Sequence, residues 1–363
     1  MRQLAAEWSA PVATLVELLR ERAREQPQSR AFTLLEEGEV ETRHVDYAGL
    51  DRQARALGAV LQQHGAAGER ALLLYPFGLE YVAAFFGALY AGVIAVPVYP
   101  PDPLRLQRTL PRLQAIARDS QATVVLTTQL IRDMVGALAT QAPELAALRW
   151  VATDALPPGA EEDWRPPEAN AGSLAFIQYT SGSTAAPRGV LLTHANLLHN
   201  QALMQLAFRS SPSSVGVSWL PLYHDMGLIG GVLHPVSVGF PCVLLPPEAF
   251  LQQPVRWLRA LSRYRGTLSG APNFAFDLCV RKVSPEQREG LDLSCWRYAF
   301  NGAEPVRAET LERFAQHFAP CGLQRQSLRP LYGLAEATLM VTGGLQGSPQ
   351  KSLSVDGAAL AAH

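Results

Sequence analysis

Apolar and polar positions along the chain follow two periods, one near about 3.6 residues and one near about 2, and each marks its own kind of element. Positions 12–26 carry an amphipathic helical pattern with Arg and Glu on the outer face. The short runs 31–35 and 39–44 flank Glu37-Gly38 and read as a hairpin. Residues 46–64 place Leu50, Ala54, Leu57 and Leu61 on one side of a helix that stops at Gly65. An apolar strand at 71–75 precedes an apolar helix at 79–90 closed by Gly92, and a further strand at 93–98. Pro97, Pro100, Pro101 and Pro103 then turn the chain. A helix at 104–118 and a strand at 123–126 follow. Beyond a polar connector at 156–171, helices are predicted at 194–208, 226–238, 253–264 and 306–318. Strands are predicted at 216–220, 242–245, 298–301 and 328–332. This βαβ spacing predicts an α/β fold of layered, mainly parallel sheets flanked by helices. The connector suggests a first α/β subdomain over 1–170 and a second over 171–342, leaving a weakly patterned tail at 343–363.

Composition narrows the function. Of 363 residues, 48% are hydrophobic and 17% charged, an ordinary globular balance. A formal net charge of -1 offers no basic surface for nucleic acid or an anionic membrane. Cys242, Cys279, Cys295 and Cys321 contain no CxxC pair, so zinc-like spacing is absent and a secreted disulfide scaffold is disfavoured. The apolar stretch 81–98 contains two glycines and ends in prolines, as a buried helix and strand do and a membrane span does not. The N-terminal residues lack a continuous apolar signal core. The expectation is a soluble cytoplasmic protein with no membrane span.

The run FIQYTSGSTAAPRGVLLTH (176–194) reads as a buried strand, a loop of small hydroxyl residues, and a helix start. Backbone N–H groups and hydroxyls of such a loop can close around a phosphate. It is not a Walker loop, because no Gly-Lys-Ser/Thr follows. On its own it also fits a surface turn.

Three more segments fall at predicted strand ends, where open α/β sheets hold ligands. SWLPLYHDMGLIGG (218–231) sets His224 and Asp225 between a strand and a helix; a capping Asp beside a loop histidine is the plainer alternative. Gly227, Gly230 and Gly231 either leave a tunnel for a long apolar substrate or let the helix pack closely. YAFNGAEPV (298–306) ends a strand in a turn whose exposed backbone can recognise a purine edge, or which simply starts a helix at Pro305. LYGLAEATL (331–339) offers Tyr332 for stacking and Glu336 as a carboxylate for Mg²⁺ beside phosphate, or a core Tyr and a surface Glu.

In order and content, these four segments resemble the large N-terminal lobe of the acyl-adenylate-forming enzymes, over nearly the whole chain. PLYHDMGLIGG, GAPNFAFDLC (270–279), NGAEPV and YGLAEATL are most similar to fatty acyl-AMP ligases. The resemblance implies activation of a long-chain fatty acid with ATP and Mg²⁺ to an acyl-adenylate, releasing pyrophosphate. Transfer to an acyl carrier protein in polyketide, lipopeptide or lipid biosynthesis would follow. It implies that Thr180, Ser181, Gly182, Ser183 and Thr184 hold phosphates. Gly302, Ala303, Glu304 and Gly333 would line the adenine, with Tyr332 stacked on it. Glu336 would bind Mg²⁺. His224 and Asp225 would sit by the reacting carboxylate, and Met226, Gly231, Asn273 and Phe274 would wall the acyl pocket. The substrate carboxylate is the nucleophile, so catalysis needs positioning and charge neutralisation rather than an enzyme nucleophile.

Some positions depart from that family. Ala185-Ala186-Pro187-Arg188-Gly189 stands where many relatives have Gly-Lys-Pro-Lys-Gly, and Ala335 stands where many have Thr. No Thr-Gly-Asp follows Thr342. The expectation is a fragment without the C-terminal domain and its catalytic lysine, with weak or no turnover. The alternatives are a fatty acyl-CoA ligase of the same fold and a non-catalytic acyl- or nucleotide-binding module. Amino-acid adenylation is disfavoured, because the expected acyl wall has no acidic residue to hold an ammonium group.

Overall fold

Period-2 patterning becomes two sheets. The computed structural model describes residues 12–100, 106–135, 141–180, 187–345 and 353–358. In chain order its strands are β1 (Arg30–Leu34), β2 (Arg43–Asp46), β3 (Arg70–Leu73), β4 (Ile94–Pro97), β5 (Val124–Thr127), β6 (Arg149–Ala152) and β7 (Leu174–Thr180). They continue as β8 (Arg188–Thr193), β9 (Gly216–Ser218), β10 (Cys242–Leu244), β11 (Leu268–Ala271), β12 (Tyr298–Asn301), β13 (Leu328–Gly333) and β14 (Met340–Gly343). One sheet runs β6-β5-β3-β4-β7-β8 and the other β14-β13-β12-β11-β9-β10-β1-β2. Pairing is parallel except for β1/β2, β7/β8 and β13/β14, all at sheet margins. Each sheet takes strands from both sides of residue 170: β1 and β2 join the later strands, while β7 and β8 join the earlier ones.

Strand alternation divides the core. Ala71, Leu73, Ala95 and Phe176 face the larger cluster, which joins both sheets and the helices Leu15–Glu25, Tyr47–Gln63, Leu79–Tyr90 and His194–Phe208. Their neighbours Leu72, Val96 and Ile177 face a smaller cluster closed by Leu110, Leu113 and Ile116 of the helix Leu106–Ser120. The helices Tyr47–Gln63 and Leu79–Tyr90 meet where a Cβ on Gly87 would lie 2.6 Å from Leu57, so only glycine permits that approach. Among the described residues no helix is long and apolar enough to cross a membrane.

The segment 176–194 corrects the predicted strand–loop–helix order. β7 is followed by a second strand, β8, with Thr180 opposite Arg188. Val190, Leu191 and Leu192 suit a pleated edge. The helix begins only at His194, capped by Thr193 Oγ1, which accepts the Asn196 N–H at 3.2 Å. The loop therefore tips a hairpin and does not open a helix. Ser181, Gly182, Ser183 and Thr184 lie outside the described residues. Patterning also missed β6, β11, β14 and the helix Asn273–Lys282.

Two histidines are buried in the larger core. His194 Nδ1 accepts the Leu15 N–H at 3.2 Å, and His234 lies between Ser210 Oγ at 2.8 Å and Gln201 Oε1 at 3.0 Å. Burial lowers the His194 pKa to about 4 and that of His234 to about 3. The unfolded chain takes up these protons below about pH 6.5 and the folded chain does not. Their contribution is therefore complete above that pH and is lost as pH falls toward 4 and then 3. The melting temperature is expected to drop steeply between pH 7 and 4, and His234→Gln is expected to flatten that slope. An unchanged slope in calorimetric melts would count against this origin.

Candidate functional site

Strands β9, β11, β12 and β13 run parallel, so their carboxyl ends open on one side of the sheet. The segments leaving β9, β12 and β13 there, with Thr180 at the end of β7, enclose a cavity of about 420 Å³. Thr180, His224, Asp225, Met226, Gly302, Ala303, Tyr332, Gly333 and Glu336 all line it. The cavity thus joins nine of the residues singled out from sequence, drawn from four separate segments.

At one wall, His224 Nδ1 lies 2.6 Å from Asp225 Oδ1, which also accepts the Met226 N–H at 2.6 Å. Burial pulls the His224 pKa down, but the hydrogen bond and charge of Asp225 outweigh it and hold the imidazole above its ordinary value. Nδ1 is occupied by Asp225 and by the Met226 N–H at 3.3 Å, so Nε2 is the nitrogen left for a ligand. The pair introduces a π-helix, Met226–Leu233, a wide helical form frequent at functional sites. Its three glycines differ. A Cβ on Gly227 would sit 2.0 Å from the Pro221 carbonyl oxygen, and one on Gly231 3.0 Å from Ser218 Oγ. Among the described residues, a Cβ on Gly230 would meet only Leu339 Cδ2, at 3.8 Å. Close packing explains Gly227 and Gly231, while Gly230 borders the cavity; the cavity-wall place expected of Gly231 belongs to Gly230.

The turn after β12 holds Ala303 at φ +65, a left-handed conformation that costs a residue with a Cβ about 1–2 kcal/mol. Asn273 Oδ1 keeps the turn in place by accepting Asn301 Nδ2 at 3.2 Å and the Arg307 N–H at 3.1 Å. Glu304 Oε1 accepts the Phe274 N–H at 2.6 Å, at the start of the helix Asn273–Lys282. Glu304 borders a second cavity beyond Tyr332 rather than the first. Asn273 and Phe274 therefore support the turn and do not wall the cavity. The amide of Asn273 is spent on backbone and neighbouring side chains, and the Phe274 ring lies edge-on to Trp219 at 6.2 Å.

Tyr332 lines the same cavity and is 59% exposed, so its ring is open to a flat ligand. Glu336 follows in a tight turn whose Thr338 adopts φ +76, with the Leu339 N–H donating to the Ala337 carbonyl at 3.0 Å. Thr338 is buried and is not among the residues lining the cavity. Asn200 anchors the far end of this turn: its Nδ2 donates to the Met340 carbonyl at 3.0 Å, and its Oδ1 accepts the Met340 N–H at 3.1 Å. Asn200 was missed because its partner lies 140 positions away.

Met204, Phe208, Phe300, Leu339 and Met340 complete an apolar end that sequence alone did not reveal. Met204 and Phe208 are four residues apart on a helix, the ordinary signature of core. At the other end, Arg112 reaches the Thr180 carbonyl at 3.5 Å and Arg188 faces Thr180 across the hairpin. Two arginines thus flank the base of the loop that lacks lysine. No cluster of three metal-ligating side chains occurs among the described residues. Glu336, a carboxylate on the cavity wall, suits a Mg²⁺ that arrives with nucleotide phosphates and keeps its remaining coordination in water.

Residues 19–361 match the AMP-binding enzyme family. The chain is 45% identical over 352 residues to the medium-chain-fatty-acid–acyl-carrier-protein ligase JamA of Moorena producens, a match covering 96% of this chain and 59% of that one. It is 35% identical over 384 residues to the similarly named ligase TtuA of Teredinibacter turnerae, with the same shares covered. Among solved structures, it is similar to the fatty acyl-adenylate ligase of L. pneumophila in complex with acyl adenylate and pyrophosphate. That likeness has a TM-score of 0.87 and 42% identity, covering 94% of this chain and 58% of the other. The chain therefore spans less than two thirds of each of these relatives.

Proposed function

The chain belongs to the AMP-binding enzyme family, and from that premise we propose that it supplies the acyl-adenylate site of a fatty acid-activating ligase. The observation that carries this is one cavity with two chemically distinct ends. Tyr332, Gly302 and Ala303 offer a ring face and backbone edge for adenine, and Met204, Phe208 and Met340 offer an apolar end for a tail. Among the described residues, every one lining it lies between 180 and 340, so residues 171–342 carry the site in this proposal.

In the proposed reaction a carboxylate oxygen of the fatty acid bonds to the α-phosphorus of ATP. The bond from that phosphorus to the bridging oxygen breaks, and pyrophosphate leaves. Glu336 would hold Mg²⁺, which when bound neutralises phosphate charge. His224, whose imidazolium form Asp225 favours, would face the anionic carboxylate and phosphate. Arg112 and Arg188 would add positive charge at the phosphate loop. These groups work by position and charge, which suits a reaction whose nucleophile is the substrate. An acyl carrier protein is the proposed acceptor, in line with the names of JamA and TtuA.

A pair of non-hydrolysable analogues separates fatty acid from amino acid. A dodecanoyl-adenylate analogue is expected to bind about tenfold or more tighter than a phenylalanyl-adenylate analogue, because the apolar lining buries the longer tail and the Asp225 carboxylate is already paired with His224 rather than free for an ammonium group. Equal or reversed affinities would overturn the proposal.

A further inference from the structure

We propose that Gly230 sets the length of acyl chain the cavity accepts; this rests on the fatty acyl-adenylate site proposed above. The three glycines of the π-helix are equivalent by sequence but not in space. Gly227 is locked against backbone and Gly231 against Ser218, so neither leaves room for substrate. Gly230 lies four residues beyond Met226, and both line the cavity. Around a Cβ built on Gly230, Leu339 Cδ2 at 3.8 Å is, among the described residues, the only atom within 4 Å that the helix itself does not supply. Its backbone is not among the left-handed glycines, so a larger residue can take the same conformation without strain.

Another part of the lining is packed into the core. Met204 and Phe208 lie on the helix His194–Phe208 and are almost wholly buried. The Phe208 ring is held by Tyr298 at 4.5 Å, His234 at 5.4 Å and Phe300 at 6.0 Å. A tail in this cavity meets this buried aromatic cluster and, at Gly230, a missing side chain. Gly230 lines the same cavity as Met204 and Phe208, so the space beside it is open to a tail bound there. A side chain added there takes volume from the tail and not from the protein core.

The test is a series of non-hydrolysable acyl-adenylate analogues from acetyl to hexadecanoyl, with AMP, titrated into the wild-type chain, Gly230→Ala, Gly230→Leu and Gly231→Ala. In the wild type, affinity is expected to rise about fourfold per methylene until the cavity is full. Gly230→Ala is expected to weaken the dodecanoyl analogue about fourfold, and Gly230→Leu about a hundredfold. AMP and the acetyl analogue should bind all variants alike. Gly231→Ala is expected to leave the chain-length profile unchanged, since that position faces Ser218. Circular dichroism melts check folding, and if the leucine variant does not fold the alanine variant decides. A loss shared equally by AMP and every analogue would overturn the assignment, as would a chain-length profile that does not move. A wild-type chain that gains nothing from acetyl to dodecanoyl would instead overturn the fatty acyl-adenylate site itself.

Discussion

Gly227→Ala is expected to cost the chain about a hundredfold or more in acyl-adenylate affinity and about 2–3 kcal/mol of stability. The added methyl would fall 2.0 Å from the Pro221 carbonyl oxygen, 2.8 Å from its carbon and 3.0 Å from the Leu220 carbonyl oxygen. These are backbone atoms, so no rotamer change relieves the clash. The turn they belong to is itself closed by the His224 N–H donating to the Pro221 carbonyl at 3.1 Å. The Leu228 N–H donates in turn to the His224 carbonyl at 2.8 Å. Displacing Pro221 therefore displaces His224 and Asp225, the pair that meets the reacting carboxylate in the proposed site. Calorimetric titration and melting of the variant check both effects. Unchanged binding would mean that this turn does not position the site.

Tyr332→Ala is expected to weaken the acyl-adenylate analogue and AMP by the same factor, about 5- to 150-fold. That is the range set by about 1–3 kcal/mol for stacking of a base on an aromatic ring. Because the side chain is 59% exposed, its removal should leave thermal stability nearly unchanged. Tyr332→Phe keeps the ring and should keep the affinity. The equal loss for AMP and analogue separates this position from Gly230, where only tailed ligands respond. A Tyr332→Ala chain that binds AMP as tightly as wild type would remove the ring from the adenine site.

Sequence spacing read the helices 79–90 and 194–208 at their observed bounds, because each is a long run rich in helix-compatible apolar residues with a clear stop or cap. It also placed the ends of β9, β12 and β13 near the residues that line the cavity. It failed where the deciding partner is distant in the chain. The strand β8 was hidden behind a loop whose composition pointed straight to a helix start. β11, Leu-Ser-Gly-Ala, is too short and too fully buried to show alternation. Asn273 looked like a wall residue, yet its amide is consumed by Asn301 and Arg307, some thirty positions on. The glycines at 227, 230 and 231 could be read as tunnel or as packing. Only the positions of Pro221, Ser218 and Leu339 divide them between the two.

The most direct measurement is a calorimetric titration of a non-hydrolysable dodecanoyl-adenylate analogue into the folded wild-type chain, beside AMP. Binding at one site, tighter than AMP by a margin that grows with tail length, is the expected result, since a single cavity offers both an adenine face and an apolar end. A folded chain that binds neither ligand, or binds both with equal affinity, would contradict it.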